Sequence, residues 1–312
     1  MKLPQKVKIR EVGPRDGFQS WPEFVPTERK LEVIRALVEA GVREMEATSF
    51  VSPKAVPNMR DAAQVMAGVP RGQCSYCALV PNLKGAQLAL EAGADKLGVF
   101  ISASEKHNLA NVRRTVSDSL ADLVAIFHLA DERGVPVEGA VSVAFGCPYQ
   151  GDVAHEEVFR VVEAFLEHGA ELILLADTTG MATPDRVEAL ISETLERFPQ
   201  GNFGLHLHNN RGTAMTNLFV ALQCGCTVFD TALGGIGGCP NVPQAAGNLP
   251  TEDVVYLLEE MGVSTGIDLV AAIRAAHLLE KILGRTLPGQ VMKSGPRDPE
   301  LAAEVCGISH DI

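Results

Sequence analysis

Eight short segments rich in apolar and β-branched residues alternate with helical patterns, and this alternation constrains the fold more than any other feature. Several helical patterns end at a glycine directly before the next strand, as in residues 37–41 and 129–134. Glycine adopts the left-handed conformation that ends a helix without strain, so the chain repeats one helix-to-strand junction. Eight such units close a parallel (β/α)8 barrel. The predicted strands span residues 8–12, 44–47, 75–80, 96–101, 138–144, 172–176, 203–208 and 228–233.

The predicted domain organisation is one TIM barrel with a short C-terminal helical extension. A doubly wound open sheet also alternates strands and helices, but it carries a nucleotide-binding turn after an early strand, and the sequence contains no GxGxxG or P-loop motif. The barrel spans about residues 7–266, and an additional helix at 267–283 precedes a tail that contains glycine and proline. Since no linker divides the chain, residues 1–312 are predicted to form a single catalytic domain.

The charge and hydropathy of the chain exclude several classes of partner. Its 27 basic and 39 acidic residues give a net charge of −12, which opposes non-specific binding to nucleic acid or anionic lipid. No apolar run reaches the roughly 20 residues that span a bilayer, and the N-terminus lacks the apolar core of a secretory signal. We therefore expect a cytoplasmic protein that binds neither nucleic acid nor membrane. The 7 cysteines have no compact spacing and are expected as free thiols.

Polar residues follow the first two predicted strands at their carboxyl ends, where parallel barrels place catalysis. A turn with glycine and proline carries Arg15 and Asp16, a cation beside a carboxylate suited to bind metal. Glu46 ends the second strand, and a carboxylate at that depth needs a partner, for which Arg15 is the natural candidate. The alternatives are a surface turn with a local ion pair for Arg15 and Asp16, and a purely structural role for Glu46.

The seventh predicted strand contains two histidines, His206 and His208, separated by a single leucine. Residues two apart share one face of a strand, so both imidazoles point the same way. A single strand histidine is commonly a satisfied core residue, but two on one face at a barrel mouth are costly unless they bind a ligand. Together with the carboxylate of Asp16 they predict a site for a divalent metal.

Three more residues are predicted near the same mouth. Asp177 follows an apolar strand, where it either binds metal-bound water or orients a ligand, with capping of the next helix as the alternative. Four glycines in residues 234–238 lead to Cys239. Such a loop can close over a substrate and deliver the thiol as a proton donor or acceptor, although a plain flexible connection has the same composition. Asn248 offers a neutral oxygen ligand for a hard cation.

At these residues the chain resembles the 3-hydroxy-3-methylglutaryl-CoA lyase family, within the wider group of metal-dependent barrel lyases and Claisen-type synthases. The resemblance runs from about residue 7 to residue 266. RDG and HxH are shared across the wider group, whereas GGxGGCP, GCPY and SFVSPK are typical of the lyase branch. The segments that carry the resemblance are EVGPRDGFQ at 11–19, EATSFVSPK at 46–54, PNLKG at 81–85, GCPY at 146–149, ADTTG at 176–180, HLH at 206–208, GGIGGCP at 234–240 and GNLPTED at 247–253.

The resemblance implies a ligand set and roles for individual residues. The implied ligands of Mg²⁺ or Mn²⁺ are Asp16, His206, His208 and Asn248. The implied catalytic residues are Arg15 at the substrate carbonyl, Glu46 in support of Arg15, Cys239 as the acid/base of the loop, and Asp177 in the polar site. An acyl-CoA is the implied substrate.

The sequence departs from the family pattern directly after the HxH pair. Family members usually continue HxHDTYG, whereas residues 209–212 of this chain are Asn-Asn-Arg-Gly. The loss of an acid and the gain of a cation predict a changed substrate wall, with Asn209 and Arg211 as contacts to a substrate carboxylate. Gln19 is a further candidate for substrate binding. Lys84 is a candidate contact for a coenzyme A phosphate, and a solvated charge is the alternative.

The sequence therefore predicts a metal-dependent carbon–carbon lyase that cleaves a 3-hydroxyacyl-CoA with a distal carboxylate. For 3-hydroxy-3-methylglutaryl-CoA the products are acetoacetate and acetyl-CoA. The base that accepts the hydroxyl proton stays open among His206, Asp16 and a hydroxide held by the metal. The alternatives are a lyase for another hydroxyacyl-CoA such as citramalyl-CoA, a Claisen-type synthase, and a metal-binding regulatory protein without turnover. A homodimer that pairs through outer helices is an open expectation.

Overall fold

The computed structural model describes residues 3–238 and 247–307. Eight parallel strands pair in chain order, and β8 pairs with β1 to close the barrel, so the predicted (β/α)8 fold is confirmed. The closing pair aligns Lys8 with Val228 and Glu11 with Thr231. The strands are β1 Lys8–Glu11, β2 Glu44–Ser49, β3 Ser75–Leu79, β4 Lys96–Ser102, β5 Val137–Ser142, β6 Leu172–Asp177, β7 Phe203–Leu207 and β8 Val228–Thr231.

Helices follow the strands and form the outer layer. The predicted glycine junctions are present, since Gly41 and Gly134 have φ of 105° and 62° at the ends of their helices. None of the helices in the described ranges is long and apolar enough to cross a membrane. The helices are α1 Phe18–Ser20, α2 Thr27–Glu39, α3 Ala62–Gly68, α4 Leu83–Glu91, α5 Glu105–Val112, α6 Val116–Glu132, α7 His155–Glu167, α8 Pro184–Arg197, α9 Ala214–Gln223, α10 Thr251–Glu260, α11 Leu269–Leu283, α12 Val291–Ser294 and α13 Pro299–Cys306.

The strand boundaries differ from the predicted ones mainly at the carboxyl ends. β2 continues to Ser49, whereas β5 ends at Ser142 and β8 at Thr231. The last predicted residues of β8 instead enter a 3₁₀ turn, Leu233–Gly235, in which Gly234 has φ of 64°. That conformation strains any residue with a Cβ. The chain therefore leaves the sheet earlier than its apolar sequence indicates.

The C-terminal extension packs on the outer layer of the barrel. α11 agrees with the predicted helix at 267–283 and packs against α2 and α10 through buried residues that include Ile273 and Leu279. Two short helices, α12 and α13, follow within the segment predicted as a tail. The carboxylate of Asp253 in α10 accepts hydrogen bonds from the N–H groups of Gln290 and Val291. The extension is thus joined to the barrel by polar as well as apolar contacts.

The interior of the barrel holds a network of buried charges. Arg10 of β1 donates to Asp230 of β8 at 2.5 Å and also to Glu138 of β5. Lys96 of β4 donates to Glu138 at 3.0 Å. A buried charge is costly without a partner, and each of these charges has one. The sequence analysis missed the network because each charge stands alone in its own strand and meets its partner only when the barrel closes.

Candidate metal centre and active site

The loop after β1 forms a five-residue π-helical turn, Gly13–Gly17, that brings Arg15 and Asp16 to the barrel mouth. Single π-helical turns are frequent at functional sites. Glu11 fixes the start of this turn, because its carboxylate accepts the first N–H of the turn at 2.7 Å and the N–H of Leu233 at 3.0 Å. The loops after β1 and β8 are therefore held together by one buried side chain.

Arg15 lies between two carboxylates. Its Nε donates to Oε2 of Glu46 at 2.5 Å, and its Nη1 donates to Oδ1 of Asp16 at 2.7 Å. The expected contact between Arg15 and Glu46 is therefore present. A β-bulge between Glu46 and Thr48 shifts the register of β2 against β3 beside this contact. Burial lowers the pKa of Arg15, but the two carboxylates outweigh burial and raise it, so Arg15 is a permanent cation at the mouth.

Asp16, His206 and His208 each offer a ligand atom, and these atoms lie within 4.8 Å of one another. The Nε2 atoms of the two histidines are 3.0 Å apart, and Nε2 of His208 is 3.7 Å from Oδ2 of Asp16. Ligands at right angles with bonds of about 2.1 Å are separated by about 3 Å. Burial opposes the charge on Asp16, but Arg15 and His208 outweigh it and hold the pKa of Asp16 well below its usual range. The spacing and the ionised carboxylate fit one divalent cation.

Asp230 orients one of the two histidines. Its Oδ2 lies 3.0 Å from Nδ1 of His206, while its Oδ1 accepts from Arg10. A carboxylate on the outer nitrogen fixes the tautomer and ring orientation of a metal-binding histidine. The Nδ1 atom of His208, by contrast, is buried without a hydrogen-bond partner in the described part of the chain. The sequence analysis missed Asp230, although an aspartate inside the apolar run of β8 was a usable signal.

Asn248 lies beside the three candidate ligands. An antiparallel bridge joins its backbone to His208, and its Nδ2 donates to Oδ2 of Asp16 at 2.7 Å and to the carbonyl of Ile236 at 3.1 Å. Its Oδ1 is buried and has no partner among the described residues. A buried carbonyl oxygen without a partner is the expected state of a ligand before the cation is added. Its partnerless Oδ1 leaves Asn248 available as a ligand, and its role in the ligand set stays a prediction.

Gly237 packs directly against this centre. A Cβ at this position would lie 2.3 Å from Nδ2 of Asn248 and 2.8 Å from Oδ2 of Asp16, and Gly237 has φ of 118°. The two short distances and the positive φ each exclude an ordinary side chain. The glycine-rich segment before residue 239 is thus shaped to let backbone approach the ligands.

A cavity of about 500 Å³ opens above these residues at the carboxyl ends of the strands. Its lining divides into two regions. The polar arc, on β1, β2, β7 and β8 and their loops, consists of Arg15, Asp16, Glu46, His206, His208 and Asp230. The apolar arc is formed by five residues of β3 to β6, Leu79, Phe100, Ala140, Leu174 and Ala176, and polar residues such as Ser142 and Thr178 also line the cavity on this side.

The other predicted site residues have different positions. Gln19 lines the cavity and accepts a hydrogen bond from Ser49 at 3.1 Å. Cys239 lies outside the described residues. Asp177 uses both carboxylate oxygens to accept the N–H groups of Met181 and Ala182 at 2.7 and 3.0 Å, so its contacts support a role in fixing the loop after β6.

Three further predicted contacts, Asn209, Arg211 and Lys84, are not among the residues that line the cavity in the described structure. Asn209 accepts the N–H of Ala214 at 3.2 Å, as a local contact at the start of α9. Arg211 donates to the carbonyl oxygens of Thr179 and Gly180, both at 2.8 Å, which directs its charge to the neighbouring loop. Lys84 is exposed on α4. Their roles in substrate binding stay predictions.

Comparison with known proteins agrees with this geometry. A sequence model described as HMGL-like matches residues 6–279. The chain belongs to the HMGL-like family. The hydroxymethylglutaryl-CoA lyase YngG of Bacillus subtilis is 44% identical over 298 residues, which cover 94% of this chain and 100% of that protein. The (R)-citramalyl-CoA lyase of Chloroflexus aurantiacus is 41% identical over 310 residues, which cover 96% and 98%.

Solved structures of related proteins share the fold of this chain. The HMG-CoA lyase of Bacillus subtilis superposes with a TM-score of 0.91 at 43% identity and covers 94% of this chain and 98% of that chain. The HMG-CoA lyase of Acinetobacter baumannii, solved with coenzyme A and 3-methylmalate, also gives 0.91 at 43% identity, with 95% and 97% covered. The similarity therefore extends over most of the chain.

Proposed function

We propose that this protein is a divalent-metal-dependent carbon–carbon lyase that cleaves a 3-hydroxyacyl-CoA, with 3-hydroxy-3-methylglutaryl-CoA as the first substrate. The observation that carries the proposal is the group of Asp16, His206 and His208 beside the Arg15 guanidinium at the mouth of the barrel. Relatives named as hydroxymethylglutaryl-CoA lyases, about 40% identical over most of the chain, support the same reaction. The products would be acetoacetate and acetyl-CoA.

Four side chains of this site would hold the cation, and Mg²⁺ or Mn²⁺ suits their mixture of oxygen and imidazole ligands. When bound, such a cation supplies Lewis-acid polarisation of the substrate oxygens. The proposed ligands are Asp16, His206, His208 and Asn248.

Arg15 is the fixed positive charge available to the reacting oxygens. Glu46 and Asp16 hold its guanidinium by two hydrogen bonds, so it needs little reorganisation when charge develops. Truncation of Glu46 would leave Arg15 with fewer rotamer restraints. We assign Glu46 as a positioning residue for Arg15 and Arg15 as the contact to the substrate carbonyl.

The reaction requires two proton movements. A base accepts the hydroxyl proton at C3, and His206 and Asp16 are the candidates among the protein's own side chains. The C3–O electrons then form a carbonyl while the C2–C3 bond breaks, and the bond pair passes to the enolate of the acyl-CoA fragment. That enolate takes a proton at C2. Cys239 is our proposed donor for this proton, because the glycine-rich segment that leads to it ends at Gly238 on the cavity wall. Gln19, also on the wall, is proposed to contact the substrate.

A second candidate substrate class is favoured by one of the comparisons. The relative from Chloroflexus aurantiacus is named for citramalyl-CoA and is 41% identical to this chain, close to the value for the lyase YngG. The citramalyl group also carries a hydroxyl and a carboxylate, both on C3, the carbon that becomes a carbonyl when the C2–C3 bond breaks. The same ligands and Arg15 would serve both reactions.

The direct test is cleavage of a panel of acyl-CoA esters by the metal-free protein before and after addition of Mn²⁺ or Mg²⁺. Cleavage of 3-hydroxy-3-methylglutaryl-CoA that depends on the cation supports the proposal, and preferential cleavage of citramalyl-CoA selects the second substrate. Absence of cleavage with every ester contradicts lyase function. The cytoplasmic location and the homodimer stay predictions.

A further inference from the structure

A buried arginine inside the barrel contacts the residue that orients His206. Arg10, on β1, is only 3% exposed, and its Nη1 donates to Oδ1 of Asp230 at 2.5 Å. The other carboxylate oxygen of Asp230, Oδ2, lies 3.0 Å from Nδ1 of His206. Arg10 is not among the residues that line the cavity in the described structure. It therefore reaches the metal centre through Asp230.

The two oxygens of Asp230 have separate partners, and this division determines the state of His206. Beside the guanidinium Asp230 is a carboxylate, which only accepts hydrogen bonds, so the ring proton of His206 lies on Nδ1. Nε2 of His206 then carries the lone pair that a cation requires, 3.0 Å from Nε2 of His208. Because Arg10 occupies Oδ1, the carboxylate is held with Oδ2 towards His206.

Arg10 is itself held from the opposite wall of the barrel. Its Nη2 donates to Glu138 of β5, which lies four strands from β1 in a closed barrel of eight. Glu138 is 2% exposed and also accepts from Nζ of Lys96 at 3.0 Å. A guanidinium is planar and presents its donors in a fixed fork, so contacts on both sides fix its position. Burial opposes the charge on Arg10, but Asp230 and Glu138 outweigh burial and raise its pKa.

Stability alone does not explain charges at this place. Barrel interiors are filled mainly by branched apolar residues, whereas here Arg10, Lys96 and Glu138 are buried between the strands. Replacement of a buried ion pair by apolar residues is often neutral or stabilising, because desolvation offsets the attraction between the charges. Among the described contacts of these three residues, only that of Arg10 reaches Asp230. This contact joins the network to a candidate ligand of the cation.

We propose that Arg10 is a positioning residue for the cation, because it fixes Asp230, which in turn fixes His206 with Nε2 free to bind. The inference rests on the metal centre of the proposed function and adds a residue that touches neither the cation nor the substrate. Partners of a metal-binding histidine act on the affinity for the metal. The effect of Arg10 should therefore appear in cation binding and largely disappear from turnover once the cation is saturating.

The test measures Mn²⁺ affinity by calorimetry in two variants of Arg10. Arg10→Met removes every donor to Asp230, and we expect Mn²⁺ to bind about 10-fold more weakly. Arg10→Lys keeps a cation without the fork and should recover part of the loss. With 3-hydroxy-3-methylglutaryl-CoA, the Mn²⁺ concentration that gives half-maximal activity should rise about 10-fold in Arg10→Met, whereas kcat at saturating Mn²⁺ stays within a few-fold of the wild type.

Lys96→Met is the matched control, because it removes a cation of the same network that contacts Glu138 and not Asp230. Both methionine variants should unfold at a lower urea concentration than the wild type, but only Arg10→Met should lose Mn²⁺ affinity. If Arg10→Met does not fold, the double variant Arg10→Met with Glu138→Gln removes the two charges together. Its Mn²⁺ affinity is then compared with that of Glu138→Gln alone, which keeps the contact between Arg10 and Asp230.

Three results overturn the proposal for Arg10. A wild-type Mn²⁺ affinity in Arg10→Met shows that Asp230 is held without the guanidinium. Equal losses of affinity in Arg10→Met and Lys96→Met assign the effect to general damage in the barrel interior. A large loss of kcat that persists at saturating Mn²⁺ places Arg10 in the chemical step instead. Lack of cleavage of every ester by a wild type that binds Mn²⁺ refutes the lyase function, whereas the affinities still decide the role of Arg10.

Discussion

The two arcs of the cavity wall differ in chemistry although they belong to one barrel. The polar arc combines charged groups that hold each other in place, such as Arg15 between Glu46 and Asp16. The apolar arc presents uncharged side chains, among them Ala140, Leu174 and Phe100. We therefore expect the polar arc to bind the charged groups of a substrate and the apolar arc to determine which substrate substituent fits. Changes in the two arcs should therefore affect different measured quantities.

The largest effect is expected from His208→Ala in the polar arc. It removes a candidate ligand atom that lies 3.0 Å from Nε2 of His206. Mn²⁺ binding in calorimetry should fall below detection, and kcat/KM should fall about 1000-fold, because several kcal/mol of charge stabilisation are lost. His128→Ala on α6 is the control. Tight Mn²⁺ binding by the His208 variant would refute the ligand assignment.

A smaller effect is expected from Asp230→Asn, which acts on the polar arc through His206. The carboxylate that lies 3.0 Å from Nδ1 of His206 is replaced by an amide. Mn²⁺ affinity should weaken by about 10- to 100-fold, as is typical when the partner of a metal-binding histidine is lost. Asp131→Asn, at an exposed position of α6, provides the comparison. If Asp230→Asn and Asp131→Asn bind Mn²⁺ with equal affinity, His206 does not depend on Asp230 to bind the cation.

Ala140→Leu tests the apolar arc with the metal centre intact. Ala140 is partly exposed on β5 and faces the cavity, so a larger side chain removes space without removing a charge. For the bulkier esters of the panel kcat/KM should fall by about tenfold, while the Mn²⁺ affinity stays unchanged. Ala303→Leu on the exposed side of α13 is the control. If Mn²⁺ affinity falls as much as kcat/KM, the two arcs are not independent.

The smallest effect is expected from Glu252, whose carboxylate contacts the start of the glycine-rich loop beside the polar arc. Glu252 is fully buried, accepts the N–H of Gly234 at 3.0 Å, and has its Oε1 without a partner in the described chain. Burial raises its pKa from the ordinary value of 4.5 to about 8. The folded protein therefore binds this proton more tightly than the unfolded chain, and the free energy of unfolding falls as the pH rises through this interval.

For one group this fall cannot exceed about 1.4 kcal/mol per pH unit. Glu252→Gln should reduce the dependence of urea unfolding on pH between pH 5 and 8, whereas Glu196→Gln on the exposed face of α8 should leave it unchanged. A variant with the wild-type slope would show that Glu252 does not titrate in this range.

The sequence predicted the features that repeat or stand close together in the chain. The strand–helix alternation gave all eight strands, and the spacing of His206 and His208 gave two ligand atoms on one face. Asp230 escaped because its contact with His206 forms only when β7 and β8 lie side by side in the barrel. The role of Arg211 in substrate binding stays a prediction, since in the described structure its guanidinium contacts the carbonyl oxygen of Thr179.

The close approach of Gly237 to Asn248 and Asp16 has a consequence for protein engineering. In a library that varies the glycine-rich segment while preserving the four proposed ligands, we expect a side chain at position 237 to displace Asn248 and Asp16 and weaken cation binding. The same holds for choosing homologues: a sequence with all four ligands but alanine or serine at this position is a poor source of the same metal chemistry. The absence of a side chain at position 237 is therefore as useful a criterion for the proposed centre as the candidate ligands themselves.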